Sequence, residues 1–459
     1  MKIWTSARDA MSILFRGRWP GALVILFFVF AAAQEIHLHG QWRSNTVLSW
    51  DIGSYYHYLP AAFIHTDLRD LSYVAHTDSI LHPDGSQSRF GINVDPTTGH
   101  DVIKFPCGTA LFELPLFLVT HAYVALSGTY PADGYSLPYQ LSVCASTVLF
   151  VSFGLWLLAA FLRRYVEEGY VVVALVVIAF GTNLFYYSTL AAGMSHGYLF
   201  FLFAAVLYLT DRWQRDPRAT TVALLGLAIG LSVVVRPVDG LIFLVPLLWR
   251  SPVNGEWSAI RLLRTHPRQT FLLGTCIIAA CLPQLLYWKW TTGSFVHYSY
   301  PGEGFDFTQP HVVEGLMGYR KGWLIYSPLV ILGLIGLASM FGDRSMRYLA
   351  IPVVSFLAVF TYIVFSWTQW WYGGSFGSRP MVSALALLAL PVAYLARQLF
   401  SRHRVLGLLL VVVIAGGIKL NMFQQNQYRR GIIHWDSMTG EQYWEVFGLT
   451  DTSGAHLAE

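Results

Sequence analysis

The chain has 459 residues, of which 55% are hydrophobic and only 12% charged, with a formal net charge of +4. Its mean hydropathy is +0.48. These values exclude a soluble enzyme and a disordered chain, and they indicate an all-α, polytopic membrane protein.

In chain order, Lys2, Arg8, Arg16 and Arg18 precede the apolar run from Pro20 to Ala33. The Ala31-Ala32-Ala33 end imitates a signal-peptidase site. Because Met11–Phe15 extends the apolar stretch backward, an uncleaved first span is expected. Residues 1–34 are then a cytoplasmic N-terminus and the first span. Residues 35–105 form a long polar external loop that begins at the membrane surface and carries Asp51, His57, Asp67, Asp70, His76, Asp78, His82, Asp84, Asp95, His100, Asp101 and Lys104. A loop of this size is usually functional. Its apolar island Tyr58–Ile64 is too short to span and suits a helix lying on the interface.

Apolar segments follow at Cys107–Leu126, Tyr139–Leu162, Tyr170–Tyr187, His196–Leu209, Thr221–Val235 and Val238–Leu248. Others lie at Phe271–Trp290, Trp323–Phe341, Leu349–Phe365, Met381–Leu395 and Val405–Leu420, for about 11–12 transmembrane helices in all. They divide the chain into a transmembrane core (106–290), a second external loop (291–322), C-terminal transmembrane helices (323–421) and an external tail (422–459). Basic clusters set the orientation. Arg163-Arg164, Arg212/Arg215/Arg218, Arg250 to Arg268, Arg344/Arg347 and Arg397/Arg402/Arg404 all fall on the cytoplasmic side. One segment breaks the alternation: a full crossing by Cys107–Leu126 would turn every later basic cluster outward. It is therefore re-entrant or doubled back, unless a second crossing hides in the first loop.

The external face gathers the residues able to do chemistry. Asp51, in Ser49-Trp50-Asp51-Ile52-Gly53-Ser54-Tyr55-Tyr56-His57-Tyr58, is a carboxylate at the edge of hydrocarbon, which is costly without a partner or a task. Tyr55 and Tyr56 suit the headgroup level on general grounds. Arg236-Pro237-Val238-Asp239 interrupts two apolar runs, either as a local ion pair of Arg236 with Asp239 or as an anion site. In Trp370-Trp371-Tyr372-Gly373-Gly374-Ser375-Phe376-Gly377-Ser378-Arg379, the aromatics offer flat faces for a sugar or lipid. Arg379 adds a fork for phosphate. His196 opens a span, and Lys104 enters one, where lysine snorkels or meets an anion. Arg320 and Lys321 suit an interfacial anchor, and Glu303 with Asp306 suits loop solvation.

No GxGxxG, GxxxxGK[ST], HExxH or GxSxG motif is present. The histidines of the first loop lack metal-ligand spacing. The four cysteines (Cys107, Cys144, Cys276 and Cys281) read as small buried hydrophobes, so neither a disulfide nor a metal site is inferred.

This pattern resembles the GT-C class of integral-membrane glycosyltransferases, which place an acidic residue in the first external loop and use polyprenyl-phosphate donors. The matching residues are Asp51 with Tyr55-Tyr56, Lys104-Phe105-Pro106, Arg236-Pro237, and Trp371 through Arg379. In plan the chain is similar to protein O-mannosyltransferases and lipid A aminoarabinose transferases. The acidic metal motif of oligosaccharyltransferases and the large soluble C-terminal domain of some relatives have no counterpart in this sequence. The resemblance implies Asp51 as general base in an inverting single displacement. It further implies Lys104, Arg236, Arg379 and His196 at the donor phosphate, and Tyr55, Tyr56, Asp239, Lys321, Trp370, Trp371 and Tyr372 at the substrate. The implied partners are a polyprenyl-phosphate sugar, an acceptor glycan, lipid or protein, and membrane lipids, with no nucleic acid. No cofactor is expected; a divalent metal stays open but has no support among the residues. The implied location is a bacterial inner membrane with the site facing the periplasm. A transporter or flippase is the rival reading, because charges at broken helices also mark carrier sites. A scaffold subunit of an envelope-assembly complex is the third.

Overall fold

The computed structural model describes residues 17–44, 46–250 and 257–451. Lys2, Arg8, Arg16, the Met11–Phe15 extension and the tail beyond Asp451 lie outside the described residues. The first helix, α1 (Trp19–His39), is uninterrupted by charge until Glu35 and carries proline in its first turn, where a missing N–H leaves no partner wanting. Three short helices follow in the first loop, α2 (Trp50–Tyr56), α3 (Tyr58–Phe63) and α4 (Val74–Leu81). A two-stranded antiparallel hairpin, β1 (Ile92–Val94) with β2 (Asp101–Ile103), closes that loop with Asn93 opposite Val102. The rest is helical: α5 (Gly108–Ser127), α6 (Leu137–Leu162), α7 (Glu168–Phe180), α8 (Leu184–Ser188), α9 (Ser195–Arg215), α10 (Ala219–Val235), α11 (Leu244–Leu248), α12 (Ser258–Thr265) and α13 (Pro267–Thr292). After a second long loop come α14 (Val312–Met317), α15 (Trp323–Tyr326), α16 (Val330–Gly342), α17 (Arg347–Phe365), α18 (Leu385–Arg402), α19 (Arg404–Arg429) and α20 (Gly440–Val446).

Among the described residues, six helices (α1, α5, α6, α13, α17 and α19) are long and apolar enough to cross a membrane. Shorter apolar helices complete the bundle, so this is an integral membrane protein. Helices α9 and α18 are buried on nearly every face and form its centre. Helices α1 and α19 instead expose Leu26, Phe27 and Phe30, and Leu408, Leu409 and Val412, as lipid-facing surfaces do.

Contacts between ends set the direction of each helix. The Gly21 amide donates to Glu168 at 2.9 Å, and Arg163 pairs with the same carboxylate at 2.7 Å. At the other end the Val47 amide donates to Gln140 at 3.1 Å. Helices α1 and α6 are therefore antiparallel, with Arg163 and Asp51 on opposite faces. Helix α5 resolves the parity problem. Ser146 donates to the Phe112 carbonyl at 3.0 Å, whereas His121 meets the Tyr139 hydroxyl at 2.6 Å. So α5 climbs toward the face where α6 begins. The loop after it stays on that face, with Tyr56 donating to the Gly134 carbonyl at 2.5 Å. Despite its sufficient length, α5 begins with its first turn beside Ser146 of α6 and runs outward to the Asp51 side of the bundle.

Several expected spans are broken. Tyr170–Tyr187 stops at Phe180 and resumes as α8. Val238–Leu248 opens as a 3-10 helix, Pro237–Phe243. Trp323–Phe341 divides at Ser327, and Met381–Leu395 becomes helical only at Leu385. The island at Tyr58–Ile64 is helical, but Tyr58, Leu59, Pro60 and Ala61 are buried in protein instead of lying on lipid.

Helices α2 and α3 are held from below by buried polar contacts. Tyr58 donates to the Phe105 carbonyl at 2.9 Å, and the His57 ring meets the Tyr135 hydroxyl at 3.0 Å. Burial, aided by Arg89, pushes the His57 imidazole down to about 4. The unfolded chain then takes up a proton near pH 6.5 that the folded loop refuses. His57 thus contributes its full stability above pH 6.5 and loses it as pH falls toward 4, by about 3 kcal/mol at most. Melting temperature should fall more steeply between pH 7 and 4.5 in the wild type than in His57→Gln; equal slopes would contradict this burial. Single cysteines at Tyr130 and Tyr298 should label with an impermeant maleimide from one side of the membrane, and one at Arg164 from the other. Opposite labelling of 130 and 298 would make α5 a true crossing.

Candidate active site

The chain enters α2 through a strained residue. Trp50 has φ +52°, a conformation uncommon for an aromatic, and its amide is held by Gln87 at 2.6 Å. On the other side of the helix, Ser54 donates to the carbonyls of Phe90 and Gly91 at 3.3 and 3.2 Å. Gly91 sits at φ +73°, and a Cβ there would collide with the Ser54 hydroxyl. Strained residues persist where their surroundings over-determine them, commonly at functional sites. Here the clamp fixes Asp51 in the first turn of α2, where the helix dipole favours a carboxylate.

Asp51 meets Arg379. The guanidinium lies 2.7 Å from the carboxylate, with the two side chains 17% and 14% exposed. Burial alone would lower the Arg379 pKa, but the adjacent carboxylate outweighs it and raises it, so the arginine stays charged. Gly377, at φ +61° against Tyr326, turns the backbone that delivers Arg379. Arg236 joins the same place: it pairs with Asp239 and donates to the Pro380 carbonyl at 2.9 Å. Tyr55 packs at a tilt against Phe105, with ring centres 4.7 Å apart. Burial, and secondarily Asp51, pushes the Tyr55 phenol up to about 12. His196 is 3% exposed beside Tyr187, and among the described residues neither ring nitrogen has a hydrogen-bond partner. Asp51, Arg379, Arg236, Tyr55, Tyr372 and His196 are thus drawn together from four separate stretches.

Other expected residues lie elsewhere. Tyr56 is fully buried, with its hydroxyl committed to Gly134, so it belongs to the packing under α2. Asp239 is 0% exposed, pairs with Arg236 and accepts from Ser383 at 2.7 Å, so the local ion pair is present and the carboxylate is turned into the protein. Lys321 donates to the carbonyls of Ser375 and Trp435 at 2.7 and 2.6 Å, stapling the tail onto the glycine turn; burial pushes its pKa down to about 7. Trp370 and Trp371 form an adjoining patch. Arg320 lies 3.8 Å from the Trp371 ring centre and pairs with Asp436 at 2.8 Å, so it is more than a surface anchor. His311 stacks on Trp370 at 5.4 Å. Lys104 is on the rim, 2.7 Å from Glu303 and 4.7 Å from the Tyr300 ring, so Glu303 has a partner and is no mere solvating loop residue.

Two contributors escaped the sequence reading. Tyr300, carried by the second long loop, lies within electrostatic reach of both Asp51 and Arg379. Glu113 is buried in α5 and accepts from Tyr198 at 3.2 Å. Tyr198 meets Thr147 at 3.1 Å, and Thr147 accepts from the Gly193 amide at 2.8 Å, bracing the turn that precedes His196. The signal for Glu113 was present: it is the one acid in the apolar run Cys107–Leu126, and such residues are functional candidates by default. Among the described residues no group of three or more His, Cys, Asp or Glu side chains converges as a metal site. Asp51 faces a guanidinium where a divalent cation would need further carboxylates, so this donor set does not fit a metal.

No family model matches the sequence, and no curated protein matches it. Among solved structures, the oligosaccharyltransferase of Archaeoglobus fulgidus in its apo form is similar, with a TM-score of 0.51 and 12% identity. The match covers 97% of this chain and 62% of that one, so the chain spans under two thirds of the length of the structure it resembles. At this identity the likeness is one of fold: the chain shares the fold of that structure.

Proposed function

We propose that the protein is a membrane glycosyltransferase that moves a sugar from a polyprenyl-phosphate donor to an acceptor glycan, lipid or protein on the Asp51 face. In a bacterial inner membrane that face would be periplasmic. The observation that carries this reading is the Asp51–Arg379 pair, partly enclosed beside the Arg236–Asp239 pair at the level where α9 and α10 have their ends. A carboxylate alone suits many tasks; beside the Arg379 guanidinium it suits proton removal next to an anionic leaving group. The archaeal structure is that of an oligosaccharyltransferase, and the shared fold adds to the case.

In the proposed reaction Asp51 takes the proton as the acceptor O–H or N–H bond breaks. The acceptor atom bonds to the anomeric carbon, and the bond from that carbon to the phosphate oxygen breaks with its electron pair on the lipid phosphate. A single displacement inverts configuration. Arg379 neutralises the charge developing on the phosphate, while Arg236, held in its own pair with Asp239, lies alongside. His196, buried and unpartnered beside them, offers a hydrogen bond to the same group. Tyr55 and Tyr372 line the sugar's side, Lys104 and Tyr300 the rim, and Trp370 and Trp371 a neighbouring aromatic surface for the acceptor or the isoprenoid.

The purified protein, given a panel of polyprenyl-phosphate sugars with crude membrane as acceptor, should release free polyprenyl phosphate from one donor. Asp51→Asn should lower that release about 10²–10⁴-fold. Arg379→Gln should lower it about 10²–10³-fold. Turnover of every donor at the background rate, or full turnover by folded Asp51→Asn, would refute the proposal.

A further inference from the structure

The proposed base and the proposed phosphate-binding arginine are in contact with each other, and this has a chemical consequence. Arg379 and Asp51 are 2.7 Å apart, both largely shielded from water. A phosphate group seated on Arg379 at hydrogen-bond distance would bring a second anion within about 4–5 Å of the carboxylate. In a partly buried site that repulsion is weakly screened. Arg236 is not free to take the phosphate instead: it is engaged by Asp239, which Ser383 fixes in turn, and by the Pro380 carbonyl. Arg379 is therefore the cation whose release depends on a single carboxylate across the site.

We infer that Arg379 exchanges Asp51 for the phosphate of the incoming lipid, so that Asp51 is held idle until the donor is bound. This rests on the reading of the site as a lipid-phosphate glycosyltransferase and deepens it into an order of events. Donor arrival draws Arg379 away, and only then is the carboxylate free to accept the acceptor's proton. Before that, Asp51 has no free charge with which to activate water or an acceptor against a missing donor. The exchange also taxes donor affinity, because binding is reduced by the fraction of time Arg379 is unpaired. If the resting pair is closed about nine-tenths of the time, removing the carboxylate tightens phosphate binding about tenfold.

The test is isothermal titration of the detergent-solubilised full chain with farnesyl phosphate, and in parallel with inorganic phosphate. The proteins compared are wild type, Asp51→Glu, Asp51→Asn and Asp51→Ser, each checked for an intact melting transition; the two neutral variants serve as alternates should one fail to fold. The inference expects the neutral variants to bind farnesyl phosphate about tenfold, and at least about fivefold, more tightly than wild type. Asp51→Glu should stay near wild type. A parallel gain with inorganic phosphate assigns the effect to the headgroup chemistry, and a gain with farnesyl phosphate alone assigns it to the lipid-borne phosphate; both uphold the exchange. Unchanged affinity in the neutral variants overturns the exchange while the base assignment stands on its turnover test. Weaker binding in those variants also overturns it, since Asp51 would then be recruiting the phosphate. No binding by any form overturns both the exchange and the glycosyltransferase reading.

Discussion

The ion pair between Asp51 and Arg379 is the interaction on which the arrangement of the site depends. Placing two opposite charges in a partly buried location at the membrane is unfavourable unless geometry and further contacts compensate, and such pairs are weak evidence of stability. Replacing both by apolar residues would serve the fold at least as well. Their presence, together with Arg236 and the unpartnered His196, is what separates this face from a bundle selected for packing alone.

The architecture supplies these groups by breaking helices. Asp51 follows a strained residue at the start of α2, and His196 stands just past the interruption between α7 and α9. Arg236 ends α10 where the chain turns into a 3-10 helix, and Arg379 lies in the irregular stretch before α18. Non-helical backbone at membrane depth is tolerated where it is enclosed by protein or lines a cavity. The contacts around these breaks meet that condition. Asn183 approaches the Phe376 and Ser378 carbonyls, and Tyr187 donates to Phe376 at 3.3 Å. The tail covers the same region through Lys321 and the packing of Ile432, Ile433 and Tyr443 around Tyr326 and Phe376.

Much of this was legible in the sequence, because charge in an apolar chain is conspicuous. Asp51, Arg236, Arg379 and His196 each interrupt a hydrophobic context, and the basic clusters oriented the helices. The direction of α5 was not legible. Its composition equals that of a crossing helix, and only the partners of Phe112 and His121 on α6 reveal that it climbs outward. Side-chain pairing between distant loops was equally hidden: nothing local distinguishes Glu303, which holds Lys104, from any loop carboxylate. Asp239 and Lys321 looked like substrate contacts for the same reason Arg379 did, and their engagement by the protein's own groups is a tertiary fact. Tyr56 was misjudged through its neighbour, since adjacent residues on a short helix point to different surroundings.

The most direct test is an experimental structure of the Asp51→Asn protein bound to a polyprenyl phosphate. A catalytic centre built on this cluster requires phosphate density within hydrogen-bonding distance of Arg379, bordered by Arg236 and His196, with the lipid leaving toward the bilayer. Phosphate bound at the Arg320–Trp371 patch, or at any site away from Arg379, would contradict it.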